Sequence, residues 1–357
     1  MSILNESTGD DDSLNGNSII NHASPLVSII VVNYNGNKLL INCLRSILST
    51  KYPNFEVILV DNGSIDKSME VAQRIFGNDN RVLFIKNQNN LGFGEGNNVG
   101  VRKSRGSYIV FLNNDIEVDP QWLNELLDAV NRQENVGAAQ CKLLSLTDKK
   151  KFDSAGDYIT TLGFPFMRGK GEKDLGQFDK IDDIFSARGA AMIIKRNLFE
   201  SAGGFDPLYF IQYEDMDLSW RIHLQGYRII FVPKSVVFHA DRASTSKMKS
   251  SEFMFNGWKG HLLTLLKNYD AKNLVRFNPI FSLFGGMVPD LFIRKDPISL
   301  VARLRALTWI VCNFKQVIKS RRNVQLRIRK VPDSEVMKFM LKSGFKESFF
   351  SSVKYQL

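Results

Sequence analysis

Two groups of acidic residues in the chain have the composition of a site that handles phosphates and protons. The first is Asn113-Asn114-Asp115, which ends the apolar run 108–112. A carboxylate flanked by amides at the end of a buried strand can hold a divalent cation and the phosphates that ride on it. The same triplet is also ordinary turn and helix-capping chemistry. The second group is Glu214-Asp215-Met216-Asp217, bracketed by Tyr213 and Trp220. Acids in a first helical turn suit the macrodipole. Carboxylates that close repel unless one is protonated or bound, however, and one against an apolar wall can serve as a general base. His239 follows the apolar residues 236–238; at a strand end after such an acidic helix it is a candidate metal ligand, against the commoner surface histidine.

Further polar clusters follow other apolar runs. Residues 27–32, Val-Ser-Ile-Ile-Val-Val, read as a continuous apolar strand that ends in Asn33-Tyr34-Asn35-Gly36, where Asn33 and Tyr34 can hydrogen-bond and stack on a base. Residues 55–60 end in Asp61-Asn62-Gly63-Ser64, and Asp61 can accept from a ribose or a base. Asn90 to Gly100 is rich in glycine and asparagine, with Gly92, Phe93, Asn97 and Asn98 among its members. Its alternating glycines permit left-handed turns and close approach of a ligand, or simply open a helix. The spacing is not that of a dinucleotide fingerprint.

The elements that must position these clusters are strands alternating with helices (38–48 and 66–76) in units of about 25–30 residues. That rhythm implies βαβ crossovers and an α/β fold with a mostly parallel central sheet, whose crevice beyond the strand ends gathers the polar clusters. Residues 142–183 are irregular and read as loops and short strands facing an acceptor, and 229–232 and 236–238 as short strands. Residues 186–196 read as a strand whose small leading residues admit a close neighbour.

At 357 residues the chain holds a large domain with an appendage, or two domains. The expected division is a disordered tail at 1–24 without a secretory signal, a catalytic domain at 25–245 and a basic, amphipathic helical region at 246–357. Three widely spaced cysteines argue against a disulfide framework and a zinc site. After residue 240 lie 22 of the 47 Lys and Arg but only 8 of the 37 Asp and Glu. Nucleic acid and an anionic membrane surface are both possible partners for that basicity, and the interleaved apolar residues favour the membrane. Leu300, Leu304, Leu307, Val311 and Phe314 fall on one helical face, with Arg303, Arg305, Lys315 and Lys319 off it. No apolar stretch is long enough to span a bilayer, so such helices either lie in the interface or pack on the catalytic domain.

Taken in order, Val31-Val32-Asn33-Tyr34-Asn35-Gly36, Val60-Asp61-Asn62-Gly63-Ser64, Asn90-Leu91-Gly92-Phe93 with Asn97-Asn98, Leu112-Asn113-Asn114-Asp115, Tyr213-Glu214-Asp215-Met216-Asp217 and Val237-Phe238-His239 resemble a family 2 glycosyltransferase of the GT-A fold, in particular its rhamnosyltransferase-like members. The resemblance covers about residues 26–245. It implies a Rossmann-like sheet flanked by helices with a C-terminal helical extension, and inverting transfer from a nucleoside-diphosphate sugar, dTDP-rhamnose being one candidate. By position, Asp115 and His239 match the family's metal ligands for Mg²⁺ or Mn²⁺, Asp215 its base, Glu214 the base's neighbour, and Asp61 and Tyr34 its nucleotide pocket. The other motif positions, Asn33, Asn35, Asn62, Asn90, Gly92, Phe93, Asn97, Asn98, Asn113, Asn114 and Asp217, complete the expected substrate-binding set. Asn113 stands where many relatives carry an acid, which weakens the expected hold on the metal.

The implied acceptor is a glycan or polyprenyl-lipid-linked sugar, and the implied place of work is the cytoplasmic face of a membrane. Two other readings remain, a nucleotidyltransferase that makes sugar nucleotides and a non-catalytic binding module. The first lacks a basic, glycine-rich triphosphate loop after the first strand, and the second has no need of Glu214-Asp215.

Overall fold

The computed structural model describes residues 24–240, 248–279, 283 and 296–342. Nearly all of the tail expected at 1–24, and most of residues 277–293, lie outside the described residues. The chain runs β1 (Val27–Asn33), α1 (Asn37–Leu48), β2 (Phe55–Asp61), α2 (Ser68–Phe76), β3 (Val82–Lys86), α3 (Gly92–Lys103), β4 (Tyr108–Asn113), β5 (Ile116–Val118), α4 (Trp122–Arg132) and β6 (Val136–Ser145). Four short strands follow, β7 (Phe152–Ser154), β8 (Asp157–Ile159), β9 (Pro165–Met167) and β10 (Asp182–Ile184). Then come β11 (Ala191–Lys195), α5 (Arg196–Ser201), α6 (Glu214–Leu224) and β12 (Arg228–His239). The C-terminal region is helical, with α7 (Ser250–Asn268), α8 (Ala271–Phe277), α9 (Pro297–Cys312), α10 (Phe314–Asn323), a π-helical turn at Val324–Ile328 and a short α11 (Asp333–Val336).

The central sheet has the order β10-β12-β6-β11-β4-β1-β2-β3. β4, β1, β2 and β3 are parallel, and every antiparallel pairing involves a strand after β4. The apolar run of β1 is continuous because both faces of the sheet are covered. Ile29 and Val31 pack under α1 and α4, with Leu40, Leu44, Leu123 and Leu126, whereas Ile30 packs on the opposite layer with Val101, Leu198 and Leu218. Register then lines up the polar strand ends, since Asn33 pairs with Asp61 and Val32 with Asn113.

β6 continues to Ser145, so Lys142 stands inside a strand and not at the head of an irregular region. Residues 229–232 and 236–238 are parts of one strand, β12, with an irregular register between Val232 and Val236. The glycines of 92–100 mostly serve helix packing. Gly92 alone of them is left-handed, with φ +81°, and the others let α3 lie close to its neighbours: a Cβ on Gly100 would stand 2.4 Å from Ile30.

α7 joins the C-terminal helices to the catalytic core through buried charge. Lys267 is fully enclosed and pairs with Asp206 and with Asp217, 3.0 Å away. Arg221, one turn along α6 from Asp217, holds the same carboxylate at 2.8 Å, and Asn268 donates to its other oxygen at 2.9 Å. Burial alone raises the pKa of Asp217, but Arg221 and Lys267 outweigh it and hold the carboxyl ionised. Replacing one member of such a cluster strands the others away from water. We expect Lys267→Met to lower stability by about 3–5 kcal/mol in urea denaturation of the full chain, with exposed Lys315→Met as a near-neutral control; equal midpoints would show that the cluster contributes nothing.

Candidate functional site

The strand register brings Asp115 and His239 side by side. β12 runs antiparallel to β5, His239 pairs with Ile116, and the Ala240 N–H donates to the Asp115 carbonyl at 3.0 Å. The imidazole Nε2 then lies 3.2 Å from Asp115 Oδ1, a buried oxygen that accepts no hydrogen bond among the described residues. On the far side of the ring, Nδ1 lies 2.9 Å from Asp153 Oδ2. Burial lowers the imidazole pKa, yet the carboxylates of Asp115 and Asp153 prevail and bring it to about 9. An Nδ1–H bond to Asp153 leaves Nε2 aimed at Asp115, the arrangement in which a metal-ligating histidine is usually held.

These two groups fit a divalent cation. An orphaned carboxylate oxygen and an oriented imidazole supply two ligands, and a cation there would take the place of the second imidazole proton. Among the described residues no group of three His, Cys, Asp or Glu is gathered, so a cation held here would complete its coordination with groups other than these side chains, as Mg²⁺ commonly does with water and phosphate oxygens. Asn113 contributes its amide at 3.3 Å from His239 Nε2 in place of an acid.

Asp215 opens α6 and is half-buried. It accepts from the Gly189 N–H at 3.1 Å and the Met216 N–H at 2.7 Å. Gly189, two residues before β11, admits the Phe93 ring, from which a Cβ would stand 2.8 Å, while Asp215 Cβ would lie at an ordinary 3.7 Å. Burial raises the Asp215 pKa, as does Asp157, while Arg188 opposes them. Glu214 beside it is buried, and its Oε2 has no partner among the described residues. Burial first, then the charge of Asp215, push its pKa up to about 8. The preceding Gln212 and Tyr213 both hold left-handed backbone, φ +69° and +67°, which costs side-chain-bearing residues energy and persists where the surroundings enforce it. α7 does the enforcing: Gly257 and Gly260 abut these two residues so closely that a Cβ would come within 2.8 Å of Gln212 Oε1 and 2.9 Å of Tyr213 Cβ.

Most of the amides expected to touch substrate instead tie loops together. Asn33 donates to Asp61, Ser64 and Ser68 and accepts from Asn114 at 2.9 Å. Asn35 accepts from the Ile65 and Asp66 N–H groups. Asn62 binds Asn87, Asn90, Leu91 and the Gly92 carbonyl, and Asn90 also caps the Gly92 N–H. Asn97 donates to the Phe93 carbonyl, and Asn98 holds both the N–H and the carbonyl of Phe205. Asp217 belongs to the buried charge cluster and has no free oxygen for substrate, which corrects the expectation placed on it. Tyr34 remains 43% exposed at the β1 end, Asp61 is buried at the end of β2 with its carboxylate fixed by Asn33 and the Ser64 N–H, and Phe93 stacks edge-on with Phe205.

Asp153, Asp157 and Arg188 escaped the reading of the sequence. Arg188 bridges Asp153 at 2.9 Å and Asp157 at 3.2 Å, so a chain of ion pairs runs from His239 through Asp153 to the residue next to Gly189. Sequence separations of 31 to 86 residues leave no local spacing to signal it. Asp153-Ser-Ala-Gly156 reads only as a turn.

Glu214 makes stability depend on pH. An unfolded glutamate titrates near 4.5 and the folded one near 8, so between those values the native state holds a proton that the unfolded chain has released. Stability from this group is complete below the lower value and declines as pH rises toward the upper one. Urea midpoints of Glu214→Gln, measured from pH 5 to 8, should gain on the wild type as pH rises; parallel curves would mean that Glu214 is ionised throughout.

Residues 28–201 match the family model described as glycosyl transferase family 2. The O-antigen biosynthesis protein RfbC of Myxococcus xanthus is 33% identical over 230 residues, 62% of this chain but 18% of that protein. The next relative is likewise matched over 28% of its length, so the chain spans less than a third of either. Among solved structures, the mannosyltransferase PcManGT from Pyrobaculum calidifontis, in complex with GDP-Man and Mn²⁺, aligns over 94% of this chain and 88% of its own, with a TM-score of 0.53 and 16% identity. S. aureus TarS 1–349 in complex with UDP-GlcNAc aligns over 88% and 89%, with 0.53 and 17%. The fold is therefore GT-A, with the C-terminal helices included in the aligned length.

Proposed function

Because residues 28–201 form a glycosyl transferase family 2 domain, we propose that the chain moves a sugar, with inversion, from a nucleoside-diphosphate sugar to a hydroxyl of a glycan or lipid-linked acceptor in cell-surface polysaccharide synthesis. The observation that carries this reading is the connection of an oriented, half-buried carboxylate, Asp215, to the Asp115–His239 pair through Gly189, Arg188 and Asp153. The names of RfbC and of the two structural neighbours support the class of pathway and of donor. Likeness to the rhamnosyltransferase-like members makes dTDP-rhamnose the first donor to test. The basic C-terminal third supports work at the cytoplasmic face of a membrane.

Asp215 takes the proton of the acceptor hydroxyl as its oxygen attacks the anomeric carbon. The bond from that carbon to the diphosphate oxygen breaks, and its electron pair leaves with the nucleoside diphosphate. A divalent cation held by Asp115 and His239 would neutralise the charge gathered there. The N–H bonds from Gly189 and Met216 fix the carboxylate's direction, and burial raises its proton affinity toward what a base working near neutrality requires. Glu214, uncharged at neutral pH, spares Asp215 a second adjacent negative charge. Tyr34 offers an exposed ring for the base, and Asp61 stands at the next strand end for the ribose.

Purified protein with UDP-, GDP- and dTDP-sugars, a lipid-linked acceptor and either Mn²⁺ or a chelator should release nucleoside diphosphate from one donor only when metal is present. Asp215→Asn should keep donor affinity within a few-fold and lose about 10²–10⁴ in turnover. Turnover equal to wild type would remove Asp215 as the base. Absence of both turnover and calorimetric donor binding would remove the whole reading.

A further inference from the structure

α9 leaves much of its apolar surface outward. Its buried face is Ser299, Ala302, Arg303, Ala306 and Ile310, with the Arg303 guanidinium 3.6 Å above the Trp258 ring. The stripe that the spacing identified divides: Leu300 and Leu307 are half-buried and Leu307 packs on the core, whereas Leu304 is 47% exposed, Val311 66% and, at the start of α10, Phe314 59%. Ile298, 44% exposed, and Val301, 51%, extend that outward apolar surface. Beside this stripe, α7 and α9 enclose a groove of about 500 Å³ lined by Phe255, Val301, Leu304, Thr308, Trp309 and Cys312. No helix of the described residues is long and apolar enough to cross a membrane.

Cations that no acid answers adjoin the apolar surface. Lys315, Lys319 and Arg322 recur at helical spacing on α10 immediately after Phe314, all exposed and without an ion pair among the described residues. Lys259 is 95% enclosed, with its ammonium 5.0 Å from the Trp309 ring and 5.6 Å from Phe255, and it differs from the exposed three in facing the charge of Glu214. An outward apolar stripe beside unanswered cations is the composition of a helix that lies in a lipid headgroup layer.

We propose that the outer face of α9 and α10 is a docking surface for an anionic lipid bilayer, with Ile298, Val301, Leu304, Val311 and Phe314 entering the headgroup boundary and Lys315, Lys319 and Arg322 meeting lipid phosphates. Charge decides against the other occupants. A second copy of the chain on the same patch, related by a two-fold axis, would bring these cations toward their own copies. Nucleic acid would answer the cations and leave the apolar stripe in water. The surface rests on the reading of the chain as an enzyme at a membrane, and assigns the residues that hold it there.

Flotation of the full chain with vesicles tests the assignment, using phosphatidylcholine alone or mixed with phosphatidylglycerol. The wild type should float with the anionic vesicles only, and less at high salt. Lys315→Gln/Lys319→Gln/Arg322→Gln should partition about a hundredfold more weakly at low salt, and Val301→Asp/Leu304→Asp should not float. Both variants should keep the thermal midpoint and the donor turnover of the wild type. Failure of the wild type to float, equal flotation on neutral vesicles, undiminished flotation of either variant, or a solution dimer dissolved by Val301→Asp/Leu304→Asp would each overturn the proposal. Flotation as expected without turnover of any donor would uphold the surface and count against the transferase reading alone.

Discussion

Lys267 has no route to water, and its ammonium is answered by two carboxylates, Asp206 and Asp217, that have almost none either. With Arg221 the cluster carries two charges of each sign, and removing any one leaves a buried charge unmatched. The aim of α6 depends on it. Asp217 is pulled inward by Lys267 and Arg221, and at 100° per residue this turns Asp215, two positions earlier, to the other side of α6 and into the crevice. A residue of α7, 50 positions later in sequence, thus sets the direction of the proposed base. Gly257 and Gly260 of the same helix secure the left-handed entry of the chain into α6. The C-terminal region is part of the site's scaffold and not an attachment to it.

Polar residues divide by whether their capacity is spent. Asn33, Asn35, Asn62, Asn90, Asn97, Asn98 and Asn114 spend theirs on neighbouring loops, because loops at strand ends expose backbone N–H and C=O groups that need partners. Among the described residues, Glu214 Oε2 accepts no hydrogen bond in its buried position, and Asp115 Oδ1 has only the His239 imidazole beside it, a costly condition for an oxygen with nothing else to bind.

The parallel half of the sheet was legible because its signal is local: largely apolar runs in β1 and β4, turn residues at their ends, and helices of regular spacing between them. The motif residues that converge on the crevice could be named because each sits at a strand end or at a helix start. Their roles were less legible, since an asparagine that clamps a loop and one that touches a ligand look alike in sequence. Asp153, Asp157 and Arg188 could not be found at all, because ion pairing between residues tens of positions apart leaves no periodicity. β12 appeared as two strands because Pro233, Lys234 and Ser235 interrupt its apolar pattern, and the interruption proves to be an irregularity that the strand absorbs.

Periodicity identified the apolar face of α9 but could not say which way it points. Burial ordinarily settles that, with the apolar face inward. Here the small residues Ala302 and Ala306 let α9 approach α7 closely, and Arg303 finds in the Trp258 face a partner that disperses its charge. The helix can therefore bury Arg303 at little cost and leave part of its aliphatic surface outward. In water that arrangement forgoes the transfer free energy of five large apolar side chains. A surrounding that is itself partly apolar would recover it, and one that also presents anions would answer the lysines that follow on α10.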